Sequence, residues 1–234
     1  MSNIILNKYN CCDFSKVDSI GVLCRGQSLG SIGEYKENFK NIFVVGQHLN
    51  SFDIIGKHII DSNIVRVSGS TFFKPSKRYL RLYSKYNMRD IQTALDPTKS
   101  PRKELKFNKM KETHKGVLEA YPMPVGMLDR NKRFISKMKY GNGKTSYPTI
   151  GLYGVDLASA YKPKEIHVIG LDFYCVPQLS KECANVSWRH NVGKGDSMRE
   201  HFSLICEEDK DIKFYLYTCC KKIKSTENLK VINV

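Results

Sequence analysis

The chain has 234 residues, of which 41% are hydrophobic, and carries a formal charge of +15 with a mean hydropathy of −0.40. That length suits one large domain, and no stretch approaches the roughly 20 consecutive apolar residues of a membrane-spanning helix. The N-terminus, MSNIILNKYNCCDF, lacks a basic segment followed by an apolar one, so no signal peptide is expected.

In chain order, Val17–Cys24 is an apolar run closed by Arg-Gly-Gln-Ser and reads as a first strand and its loop. Asn41–Val45 (NIFVV) reads as a second strand ending at Gly46-Gln47, and His48–Ile60 repeats apolar residues at helical spacing. Asn63–Val67 (NIVRV) is a third strand. Tyr79–Thr93 is basic and aromatic and is expected to be helical, Leu95–Arg102 a loop, and Glu104–Ala120 a second helix. The prolines and glycines of Tyr121–Tyr147 predict irregular chain.

The most legible unit is Tyr147–Tyr174. A Pro-Thr-X-Gly turn opens an apolar helix over about Ile150–Tyr161, followed by a buried strand over Glu165–Gly170 and then Leu-Asp-Phe-Tyr. Phe173–Lys194 has little periodicity, and its place after a strand's C-terminal end suits a substrate lid over about residues 173–195. Asp196–Glu208 predicts a helix, and Asp211–Thr218 and Leu229–Val234 predict two late strands. Alternation of strands and helices predicts a single α/β domain over residues 1–234, a Rossmann-like parallel sheet with helices on both faces.

Two loops at strand ends, Arg25–Leu29 and Thr149–Gly151, are where such a fold would hold a nucleotide, because helix N-termini and glycine loops present N–H groups to phosphate. Lys74–Lys139 holds 18 Lys/Arg against six Asp/Glu, a surface that attracts anionic partners without any motif for specific nucleic-acid binding. The eight cysteines form no C-x-x-C pair and no zinc spacing, so they are expected to be reduced, mostly as small buried hydrophobes. No clear acidic metal site is recognised in the sequence.

Several segments together resemble the bacterial sialyltransferases, the lipooligosaccharide type of CMP-sugar-dependent glycosyltransferase. VLCRGQSL (Val22–Leu29) is similar to that family's first-strand loop, and VVGQ (Val44–Gln47) stands where it has Cys-Asn-Gln. PTIGLYGVDLASAY with KEIHVIGLDFY is similar to its signature helix and strand, and DIKFYLYT to its late strand. Departures are Arg25 and Gly46 for asparagines, Ser68 near the place of a third, Ile150 for a serine and Tyr147 for an arginine.

The resemblance implies a sialyltransferase variant of the GT-A fold. It implies transfer of sialic acid or a related acidic sugar from a CMP-sugar donor to a hydroxyl of a glycan or glycolipid acceptor. No cofactor and no metal would be required, and the enzyme would be cytoplasmic, with contact to the inner membrane face and homo-oligomerisation left open. It assigns donor binding to Arg25, Gly26, Ser28, Gln47, Ser68, Thr149, Gly151, Asp172 and Tyr174. The general base would be His190, a few residues before Asp196, with Asn191 in its place if the alignment has no gap; His201 is expected to be structural.

Read from the residues alone, Arg25 either pairs with a phosphate or sugar carboxylate or faces solvent, and Gly26 lets backbone approach the ligand. Ser28 is expected to cap the next helix, Thr149 to cap the signature helix, and Tyr174 to offer its hydroxyl to a phosphate. Two other classes fit parts of the chain: a pterin pyrophosphokinase-like nucleotide enzyme, which needs a magnesium site, and a non-enzymatic binder of RNA or another polyanion.

Overall fold

The Ile- and Val-rich runs form strands buried on both faces, as in a parallel sheet covered on each side. A computed structural model describes residues 14–46, 51–68, 77–88, 90–94, 97–124, 126–138, 149–176, 179 and 195–234. The strands are β1 (Ser19–Leu23), β2 (Asn41–Val45), β3 (Asn63–Ser68), β4 (Asp90–Thr93), β5 (Glu119–Tyr121), β6 (Glu165–Ile169), β7 (Lys213–Thr218) and β8 (Leu229–Asn233). The α-helices are α1 (Phe52–Ile55), α2 (Lys77–Lys85), α3 (Pro101–His114), α4 (Met127–Lys137), α5 (Ile150–Ala160) and α6 (Gly195–Glu208).

All eight strands pair in parallel in the order β5-β4-β3-β2-β1-β6-β7-β8. The chain works outward from β1 to β5, returns to lay β6 on the other side of β1, and then works outward again. Val22 therefore sits between Phe43 of β2 and Val168 of β6. The gap between the C-terminal ends of β1 and β6 is the topological switch point, where an open α/β sheet parts its loops and leaves room for a ligand.

Side-chain alternation divides the core. Val22, Val45, Val168 and Leu216 pack under α4, α5 and α6, whereas Leu23, Val44, Ile64 and Ile91 pack with Leu29, Phe52, Tyr83 and Phe107 on the opposite face. The expected Rossmann-like sheet with helices on both faces is present. Among the described residues, no helix is long and apolar enough to cross a membrane.

The middle of the chain departs from its sequence reading. Residues expected to be helical hold β4, whose sequence DIQT lacks an apolar run although Asp90, Gln92 and Thr93 are fully buried. The Gln92 amide is satisfied by the carbonyl of Pro122, so a polar strand survives inside the fold. The helix expected over Glu104–Ala120 ends at His114 and leaves room for the three-residue β5. Its start lies earlier, at Pro101, where Ser100 caps the helix by accepting from the Lys103 N–H at 3.4 Å. The segment read as irregular contains α4, entered through Gly126 at φ +89°; the prolines and glycine that suggested a loop are its start signal.

One buried charged cluster binds α4, α5 and α6 together. Arg130 Nε donates to Asp156 Oδ1 at 2.5 Å and Nη2 donates to Ser159 Oγ at 3.1 Å and to the Asp209 carboxylate, which Lys162 also contacts. Burial pushes the Asp156 carboxyl up to about 6 despite Arg130. Burial works in the same direction on Asp209, but hydrogen bonds from Arg130 and Lys162 hold it below the usual carboxylate range.

Candidate functional site at the switch point

The loops after β1 and β6 cross at backbone contact. Gly26 N–H donates to Gly170 C=O at 2.6 Å, and a Cβ on Gly26 would lie 2.3 Å from Asp172 Oδ2. Gly170 has φ +79°, and a Cβ there would lie 2.3 Å from the Cys24 carbonyl oxygen. Both positions require glycine on steric grounds.

Asp172 fastens this crossing. Its Oδ2 accepts from the Ser28 N–H at 2.9 Å, and its Oδ1 accepts from Thr218 Oγ1 at 2.9 Å and from the Cys219 N–H at 3.0 Å. Ser28 Oγ in turn accepts from the Gly170 N–H at 2.9 Å. One carboxylate thus ties together the loops that follow β1, β6 and β7.

The crossing forms the floor of a cleft of about 520 Å³, measured to its solvent-open mouth. Arg25, Thr149, Ile150, Gly151, Phe173 and Tyr174 are among its lining residues. The α5 N-terminus opens onto it: Thr149 Oγ1 caps by accepting from the Leu152 N–H at 3.5 Å. The first N–H groups of a helix lie outside its own hydrogen-bond ladder and carry a partial positive charge. A Cβ on Gly151 would meet Cys24 Sγ at 3.2 Å and Leu171 Cδ1 at 3.3 Å, so this glycine lets α5 sit close against both loops.

Arg25 brings a full charge to the same place. Its Nε lies 3.8 Å from where a Gly46 Cβ would stand. Burial raises the Tyr174 hydroxyl pKa and pushes the Cys24 thiol up to about 12, and the Arg25 charge opposes both shifts. Phe173 and Tyr174 adopt φ +49° and +56°, a left-handed pair that surrounding contacts must hold. The Cys175 N–H donates to the Asp172 carbonyl at 2.8 Å, closing that turn. An anionic group in the cleft would meet a guanidinium, helix N–H groups and a phenol.

Of the residues singled out from sequence, Arg25, Gly26, Thr149, Gly151, Asp172 and Tyr174 line this one cleft. Ser28 does not cap a helix as expected. Gly26 holds the cap position of the following 3-10 turn, and the Ser28 hydroxyl is turned to Gly170. Ser68 ends β3, two strands from the switch point, and is not among the described lining residues. Gln47, His190 and Asn191 lie outside the described residues. His201 is buried on α6 against Phe134, and burial pushes its pKa down to about 4, in keeping with the structural role expected for it.

Sequence reasoning missed Cys24, Gly170, Phe173 and Met198 as cleft residues. Gly170 carried a usable signal, a glycine that ends a strand two residues before an Asp. Met198 had only its place on the predicted helix. The expectation of uniformly reduced cysteines is also corrected: Cys175 and Cys220 are joined as a disulfide, with Cα atoms 5.5 Å apart. Cys24, Cys206 and Cys219 are free thiols.

No family model matches the sequence, and neither does any curated protein. Solved structures do. The chain is 18% identical to the sialyltransferase CstII from Campylobacter jejuni in complex with cytidine-5'-monophosphate, with a TM-score of 0.57 over 92% of this chain and 84% of that one. For the monofunctional alpha-2,3-sialyltransferase Cst-I from Campylobacter jejuni the TM-score is 0.60 at 18% identity, over 96% and 84% of the two chains. A complex of CST-II with trisaccharide acceptor and CMP gives 0.56 at 18% identity, over 91% and 85%.

The chain has the sialyltransferase fold. At this identity the likeness speaks for architecture. In the sialyltransferase fold as this chain builds it, the cleft lies at the β1–β6 switch point, with Arg25 and the α5 N-terminus on its lining.

Proposed function

We propose that this protein is a glycosyltransferase that moves sialic acid or a related acidic sugar from a CMP-linked donor to a glycan hydroxyl. The observation that carries the reading is the convergence of Arg25, the α5 N-terminus and Tyr174 on one glycine-floored cleft at the switch point. It is supported by the likeness of the fold to CstII in complex with CMP.

In this reading the CMP phosphate lies against the first N–H groups of α5, where partial positive charge and unpaired donors favour an anion. The glycines at 26 and 151 let nucleotide and backbone approach closely. As the bond from sugar to phosphate breaks, negative charge grows on the leaving phosphate, and Arg25 with the Tyr174 hydroxyl stabilises it there. His190 takes the proton of the acceptor hydroxyl. Asp172, whose oxygens are committed to Ser28, Thr218 and Cys219, shapes the floor and does not contact the phosphate. Asp172 is the sole carboxylate among the described lining residues.

A nucleotide thermal-shift panel tests the reading. CMP and CDP should stabilise the protein more than AMP, GMP or UMP, by roughly 2.7 kcal/mol at about 100 times the dissociation constant, and the shift and any turnover should survive EDTA. Equal shifts with every nucleotide would refute it. Turnover lost on chelation and restored by magnesium would favour the pyrophosphokinase class, and salt-sensitive polyanion binding with no CMP shift would favour the binder.

A further inference from the structure

The loop that presents Tyr174 is tied to the loop after β7 in two chemically different ways. One tie is the Asp172 carboxylate, held by Thr218 and Cys219. The other is the bond between Cys175, the residue after Tyr174, and Cys220. The second tie acts directly beside the left-handed Phe173–Tyr174 pair, at φ +49° and +56°. Such a pair persists only while neighbouring contacts impose it.

The surroundings of the two sulfurs are asymmetric. Cys175 is half-buried and Cys220 is fully buried. Arg199 of α6, paired with Asp196, places Nη1 3.5 Å from Cys175 Sγ and 3.9 Å from Cys220 Sγ. A guanidinium at that distance stabilises a departing thiolate. The adjacent Cys219 is poorly suited to exchange, because burial raises its thiol pKa and its Sγ lies 3.3 Å from the Val234 carbonyl oxygen.

We propose that Cys175 and Cys220 form a thiol–disulfide exchange site for a dithiol reductant, which opens and closes the tether holding Tyr174 in the cleft. A thiolate of the dithiol attacks Sγ of Cys175, the less buried residue of the pair. The bond between the two cysteines breaks, and Cys220 leaves as a thiolate beside Arg199. The dithiol's second thiolate then attacks its own sulfur in the mixed disulfide and releases Cys175. Two electrons and two protons pass from the dithiol to the cysteine pair, and the dithiol becomes a disulfide. With the tether open, the turn at 173–174 loses its covalent tie to the loop after β7 and keeps the Asp172 contacts and the packing of Phe173 on Phe202. The inference is independent of which nucleotide the cleft takes.

The test uses the full chain and dithiothreitol as the dithiol. Protein purified without reductant is denatured, alkylated and digested, and mass spectrometry should find the peptides of Cys175 and Cys220 linked. After dithiothreitol both should be alkylated, and Cys219→Ser should behave as the wild type. Amide hydrogen exchange over residues 171–176 should quicken by about tenfold or more on reduction, return on reoxidation, and be fast in Cys175→Ser whether or not dithiothreitol is present. Arg199→Gln should slow reduction by about tenfold. Free thiols at both positions in unreduced protein would overturn the proposal, as would identical exchange over 171–176 in the two redox states.

Discussion

Asp172 and Asp156 are both buried carboxylates, yet they are satisfied in opposite ways. Asp172 accepts from two backbone N–H groups and a hydroxyl, and by doing so joins three loops at the open end of the sheet. Asp156 faces the Arg130 guanidinium within a cluster that includes Asp209, Glu208 and Lys162 and joins three helices. Neutral donors fix geometry without bringing a second charge into the clasp. A charged cluster holds more tightly, but it depends on every member remaining in place. The first arrangement suits a site, the second a scaffold.

The largest effect that separates them concerns chemistry. His190→Ala should lower turnover by about two to four orders of magnitude while leaving both carboxylate networks, thermal stability and CMP binding nearly intact. Steady-state kinetics beside a CMP titration measures this. Loss of stability in proportion to activity would show His190 to be part of the scaffold. Asn191→Ala and His201→Ala are the controls for a shifted alignment.

Next comes the scaffold itself. Arg130→Met strands the buried Asp156 and Asp209 carboxylates and should cost about 3–5 kcal/mol of stability in urea unfolding, with CMP affinity unchanged at temperatures where the variant is folded. Asp172→Asn should show the reverse balance. An amide can replace the carboxylate's shape, but its NH2 would face a donor. The expected stability loss is about 1–3 kcal/mol, together with loss of most of the CMP thermal shift. If Asp172→Asn kept full CMP binding, the clasp would not be what positions the cleft.

The smallest effect is a pH dependence of opposite sign at two carboxylates of one cluster. Asp156 is raised by burial from 3.8 to about 6, so the stability it contributes is full below the unfolded value and is lost as pH rises through about 6. Asp209 is lowered, so its contribution is present above the ordinary carboxylate range and is lost as pH falls through its folded value. Between about pH 4 and about pH 7, Asp156→Asn should therefore gain on the wild type as pH rises, and below about pH 4 Asp209→Asn should gain as pH falls. Chemical denaturation across a pH series reads both, and matching slopes for the two variants would contradict the assignment.

What the sequence showed and what it hid follow from range and pattern. β1, β2, β3 and β6 were legible because a strand buried on both faces is an apolar run, and α5 because Thr149 and Gly151 mark its start. β4 was hidden because its burial is polar, β5 because three residues carry no period, and α4 because its start signal resembles a loop. At the site, Arg25, Gly26, Thr149, Gly151 and Tyr174 could be named because each stands at a strand or helix end. The roles of Ser28 and Asp172 could not, since their bond spans 144 residues and exists only once the sheet is assembled. The Cys175–Cys220 pair was hidden for the same reason, being 45 residues apart in no recognisable spacing.

The glycine crossing at 26 and 170 also sets what redesign can reach. A methyl group at either position would collide with backbone or with the Asp172 clasp, so these two positions are closed to variation. Ile150 lines the same cleft with its side chain, 3.7 Å from where a Gly46 Cβ would stand. A library meant to change donor preference should therefore vary residue 150 and hold 25, 26, 170 and 172 constant, so that new specificities arise on an unaltered floor.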